Sequence, residues 1–130
     1  SGTYKLIALR DGPGCMYTKD EPLNRKTVSL TASENLRVAI TQGNAVLVQL
    51  TGTGWSGSVD FKSSPDGNTW TNTPYKQVHT ASPTTTVAQI TSVSAATQYL
   101  INPPVIQFRI DVVVSGGTLD VVYRELNIEN

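Results

Sequence analysis

The stretch Val105-Ile106-Gln107-Phe108-Arg109-Ile110-Asp111-Val112-Val113-Val114-Ser115-Gly116-Gly117-Thr118-Leu119-Asp120-Val121-Val122-Tyr123-Arg124-Glu125-Leu126 decides the fold class. Successive side chains of an extended chain point to opposite sides. Ile106, Phe108, Ile110 and Val112 therefore share one face, with Gln107, Arg109 and Asp111 on the other. The last part alternates again, with Leu119, Val121, Tyr123 and Glu125 on one side. Ser115-Gly116-Gly117 supplies residues that accept positive φ, so the pattern predicts a tight turn and a β-hairpin.

The rest of the chain agrees with that class. Seventeen threonines and fourteen valines, against one methionine and two phenylalanines, favour extended backbone, because branching at Cβ costs rotamer freedom in a helix. Apolar residues at helical spacing occur only weakly, in Ala32 to Val38, whose end alternates just as well; no helix is expected. Further short strands are expected at Thr27 to Thr31, Leu36 to Thr41, Asn44 to Thr51, Ser56 to Ser63, Thr69 to Thr71, Tyr75 to Thr80, Thr84 to Thr91 and Gln98 to Asn102, separated mostly by Gly, Pro, Asn or Ser. Strands at such spacing predict an all-β fold, a single antiparallel β-sandwich or jelly roll over residues 27–130. Val46, Val48, Leu50, Val59 and Phe61 are expected to join the apolar faces of the quoted stretch in its core.

Residues 1–26 behave differently. Tyr4 to Leu9 can form a strand, but Arg10 to Lys26 has no period and holds four of the ten positive charges: Arg10, Lys19, Arg25 and Lys26. An N-terminal strand followed by an extended arm is expected. The arm has little beyond Cys15, Met16, Tyr17 and Leu23 to bury, so a partner surface has to order it. Tyr17 and Leu23 are the expected anchors, and Arg25 and Lys26 the residues that pair with acidic groups on the partner.

Length and charge narrow the function. A chain of 130 residues suits one domain, and 10 Lys+Arg against 10 Asp+Glu at 15% charged residues disfavours a bulk polyanion-binding protein. In the arm, Asp11, Asp20 and Glu21 offset the basic residues, so a protein contact is expected there and no nucleic acid. No apolar run approaches the roughly 20 residues of a membrane-spanning helix, and no membrane partner is expected. The start, Ser1-Gly2-Thr3-Tyr4, lacks signal-peptide features, so synthesis in the cytoplasm without Sec-type export is expected. One cysteine allows no internal disulfide.

Catalysis needs convergent groups, and His79 and Cys15 have no recognisable partner motif. His79 alternates with Val78 and reads as a solvent-facing strand residue, and Cys15 as a small apolar anchor of the arm. Asp60, Asp66, Asp111 and Asp120 lack the dense spacing of a calcium loop. No catalytic residue, cofactor or metal site is expected, and the protein is not expected to be an enzyme. Ser63-Ser64-Pro65-Asp66-Gly67-Asn68-Thr69-Trp70 carries the chemistry of a chain reversal. This string also resembles a shortened aspartate box of sialidases and other β-propellers, a hairpin-stabilising turn; one copy in so short a chain argues against a propeller. Trp55, Trp70, Tyr75 and Tyr99 are candidates for an aromatic sugar platform, with Trp55 as the residue to test. Cross-strand packing is the stronger expectation for the tryptophans.

The string from Val46 through Thr51-Gly52-Thr53-Gly54-Trp55-Ser56-Gly57-Ser58 to Asp66-Gly67-Asn68-Thr69-Trp70 resembles small β-sandwich virion proteins of tailed bacteriophages. So does the tail, where the Phe108-Arg109-Ile110-Asp111-Val112 strand leads through Ser115-Gly116-Gly117-Thr118 to Val121-Val122-Tyr123. The resemblance covers roughly residues 44 to 126. It implies a structural protein of the head, neck, tail or fibre. With the arm and the absence of a catalytic set, the expectation is a capsid decoration (cement) protein on the capsid surface. Such a protein would bind the major capsid protein or other virion proteins as a homo-oligomer. A neck or tail structural protein and a carbohydrate-binding β-sandwich module are the alternatives.

Overall fold

The computed structural model of the chain describes residues 25–41, 43–102 and 107–128. The expected strand at Tyr4 to Leu9, the arm through residue 24 and the core residue Ile106 lie outside the described residues. The strands are β1 (Lys26–Leu30), β2 (Glu34–Ala39), β3 (Ala45–Ser64), β4 (Thr71–Asn72), β5 (Tyr75–Gln77), β6 (Thr85–Thr86), β7 (Thr97–Ile101) and β8 (Gln107–Leu126). No helix occurs among the described residues. The expected all-β class holds, with Lys26, the last residue of the expected arm, taken into β1.

Two strands set the architecture. β3 and β8 are each 20 residues long and pair antiparallel from Ala45↔Leu126 to Ser64↔Gln107. Laid straight, such a strand would run about 65 Å, several times the ~14 Å radius of gyration of a domain this size. The ribbon therefore bends. Its register shifts between Thr53 and Ser56 and again between Ser56 and Gly57, opposite Thr118, Gly116 and Val114. The third strand of the ribbon bends at the same level. β1 pairs with β8 from Lys26↔Tyr123 to Leu30↔Leu119, and β2 resumes at Glu34↔Val112. Ser33 accepts the Val114 N–H at 2.9 Å between them.

The hairpin expected at Ser115–Gly117 is thus corrected. Gly117 does adopt φ +72°, as a turn would require, but the chain continues in the same direction, and the segment's partner is β3. For the same reason the two strands expected at Asn44–Thr51 and Ser56–Ser63 are one strand. The burial pattern records the bulge as a change of parity. Val46, Val48 and Leu50 are buried before it on β3, and Val59 and Phe61 after it. On β8 the buried set moves from Phe108, Ile110 and Val112 to Leu119, Val121, Tyr123 and Glu125. Even numbers give way to odd on both strands, so one face stays inward through the bend.

The bent sheet folds over itself as a sandwich. Its first half holds β1, the end of β8, the start of β3, β7, β5 and β6; the second holds β2, the start of β8, the end of β3 and β4. The core lies between them. Phe61 of the second half meets Tyr75 and Tyr99 of the first with ring centroids 5.1 and 6.0 Å apart, and stacks on Phe108 at 5.9 Å. Burial raises the pKa of Tyr75, Tyr99 and Tyr123 above the ordinary phenol value. At one end of the sandwich the β2–β3 connection crosses between the halves. The buried Glu125 carboxylate holds it, accepting the Thr41 and Gly43 N–H groups at 2.9 Å each. Sequence alternation puts Glu125 on the core side; these two donors satisfy the charge there.

Other boundaries contract. The strand expected at Thr84 to Thr91 is reduced to Thr85–Thr86 and one bridge, Ile90 to Val59. His79 lies beyond β5 in a bend with φ +64°, so it is exposed as expected but not a strand residue.

Candidate docking surfaces and a polar cleft

The Asp66-Gly67 segment is the expected reversal, joining β3 to β4 through Lys62↔Asn72 and Ser63↔Thr71. Asp66 Oδ1 accepts from Asn68 N at 2.8 Å, Thr69 N at 2.9 Å and the Ser64 hydroxyl at 3.0 Å. Those bonds to Thr69, Asn68 and Ser64, in that order of weight, hold its carboxyl below the usual carboxylate range. Gly67 takes φ +79°, and its carbonyl accepts from Arg37 Nη2 at 2.7 Å.

That bond lays the turn onto the outer face of the second half. There Arg37, Arg109 and Lys62 face each other across β2, β8 and β3. Directly opposed like charges destabilise a sheet unless compensated. Asp111 compensates, accepting from Arg109 Nε at 2.6 Å and Nη2 at 2.9 Å, with Lys62 Nζ at 3.8 Å. Trp70 adds its ring, with the Arg109 guanidinium 4.5 Å and the Arg37 guanidinium 5.1 Å from its centroid. Alternation places these residues on the outer face, but the union of Trp70 with the row depends on the turn folding back, which no local pattern encodes.

The four aromatics therefore form no common platform. Tyr75 and Tyr99 are in the core and Trp70 is on the outer face. Trp55 sits half-buried at the bend, packed against the core, with Nε1 donating to the Val113 carbonyl at 3.3 Å. Its ring thus packs against the core while its N–H is engaged at the bend.

The outer face of the first half is less charged. Thr27, Val122, Gln49 and Gln98 form one cross-strand row, and Arg124, Leu47, Leu100 and Lys76 the next. Leu47, Leu100 and Val122 are half-buried there. Gln98 Nε2 donates to Gln49 Oε1 at 3.0 Å and Gln98 Oε1 lies 3.0 Å from His79 Nε2. A groove of about 210 Å³ runs over Leu47, Gln49, Val122 and Arg124 to Arg25. Of the expected arm contacts, Arg25 is thus exposed at this groove and Lys26 is exposed in β1; Tyr17 and Leu23 lie outside the described residues.

A second concavity, about 420 Å³, lies between the β5–β6 hairpin and residues 89–92. Hydroxyl and carboxamide side chains line it. No group of three or more His, Cys, Asp and Glu side chains that could hold a metal occurs among the described residues, and no helix there is long and apolar enough to cross a membrane.

No family model matches the chain, and no curated protein does. Among solved structures it is similar to the SPBc2 prophage-derived protein YomS, with a TM-score of 0.57 at 10% identity over 85% of this chain and 98% of that one. At that identity the likeness is one of fold: this sandwich accounts for nearly the whole of a prophage-derived chain.

Proposed function

We propose that the protein is a structural component of a tailed-phage virion, specifically a capsid decoration protein that binds and stabilises the major capsid lattice. The observation that carries this reading is the fold shared with nearly the whole length of a prophage-derived protein. The outer face of the first half supports it. Leu47, Leu100 and Val122 give that face apolar area flanked by Arg124 and Lys76, and the groove on it ends at Arg25, directly after the segment that contains Tyr17 and Leu23. Docking through both would spread contact over a neighbouring subunit, as lattice binding requires.

Removing residues 10–26 tests this, because among the described residues the deletion takes only Arg25 and Lys26, the first residue of β1, and none of the core cluster. The truncated chain is expected to keep a cooperative melting transition and to be lost from purified particles, while the full chain co-sediments with them. Truncated protein at full occupancy would overturn the arm's role. A full chain absent from particles would overturn the virion reading itself.

A further inference from the structure

We infer that the cleft between the β5–β6 hairpin and residues 89–92 is a binding site for a neutral saccharide. Its lining carries no charged side chain. Thr80, Ser82, Thr84, Thr86, Thr91 and Ser92 bring six hydroxyls to it, and Gln77 and Gln89 bring carboxamides. Such groups both donate and accept, as the hydroxyls of a sugar do, and they offer nothing to compensate an ionised phosphate or carboxylate. Pro83, exposed at its edge, adds apolar surface against which the C–H face of a ring can lie. The volume falls in the roughly 300–1,000 Å³ range of small-molecule sites.

The walls are fixed from inside the fold, and one polar group is aimed by it. Ile90 exchanges both backbone hydrogen bonds with Val59, at 2.8 and 3.0 Å, and the Tyr75 hydroxyl donates to the Ala88 carbonyl at 2.7 Å. Gln89 Nε2 donates to Asp60 Oδ2 at 2.8 Å, which orients the carboxamide and leaves its oxygen free to accept a sugar hydroxyl. This inference does not depend on the address of the protein in a particle.

Titration of the ¹⁵N-labelled full chain with maltose, cellobiose, lactose and N,N′-diacetylchitobiose tests it, with sialyllactose as the charged comparison. At least one neutral disaccharide is expected to shift amides of residues 80–86 and 89–92 saturably, with a Kd on the order of 1 mM. Gln89 and Thr84 are exposed, so Gln89→Ala and Thr84→Val are expected to keep the wild-type Tm. Each should weaken binding about tenfold, the loss of roughly one hydrogen bond. No saturable shift with any neutral sugar would overturn the site, as would shifts centred on Trp55 or Trp70, or binding unchanged in both variants.

Discussion

Phe108 shows how much depends on a single side chain. It is fully buried and stacks on Phe61, whose ring reaches Tyr75 and Tyr99 across the sandwich. Truncation to alanine leaves a cavity where the two halves meet, and Phe108→Ala is expected to cost about 3–5 kcal/mol in a denaturant titration. Asp66 makes the opposite case, an exposed residue with a local task. Its folded-state pKa lies below the unfolded value, so the stability it adds is present above the ordinary carboxylate pKa and is lost as pH falls through the depressed folded value. NMR titration should find its carboxyl below 3.8. Asp66→Asn should flatten the acid limb of the stability profile without altering any binding. Both residues are legible in sequence, Phe108 from alternation and Asp66 from turn chemistry, because each depends on immediate neighbours.

At the scale of elements, the bend of the β3–β8 ribbon rests on its glycines. A Cβ on Gly117 would run into the Gly54 carbonyl oxygen, at a φ that a β-branched residue resists. Gly116 lacks the positive φ, and a Cβ there would meet only the Ser56 hydroxyl, at 3.1 Å. Gly117→Val is therefore expected to destabilise by roughly 3 kcal/mol, and Gly116→Ala by less than about 1 kcal/mol. Equal costs in chemical denaturation would mean the bend is not built as described. Strand identity was open to sequence reading here and connectivity was not. Ser115-Gly116-Gly117 satisfies the requirements of a hairpin turn and of a bulge equally. What separates them is the parity change from Val112 to Leu119, which has meaning only once β3 is known to make the same change opposite. The Trp70 contact with Arg37 and Arg109, and the cleft below the β5–β6 hairpin, were illegible for a related reason. Each joins segments whose approach is set by the folded sheet.

Taken whole, the described residues present three unlike surfaces around one core: a braced charged face with Trp70, a face with Leu47, Leu100 and Val122 beside Arg124 and Lys76, and an uncharged hydroxyl-lined cleft. The second reaches Arg25 at its edge, and it is the face that the proposed docking would use. Fold alone does not assign a function, and the likeness to a prophage-derived chain is one of fold. A decoration protein as proposed would be present in many copies, each making the same contact with its own lattice site. The most direct measurement is the ratio of this chain to major capsid protein in purified particles, by quantitative mass spectrometry. Decoration predicts a fixed ratio corresponding to on the order of hundreds of copies per particle, as occupancy of every equivalent lattice site demands. About a dozen copies would place the protein at a neck or tail, and none would contradict the account.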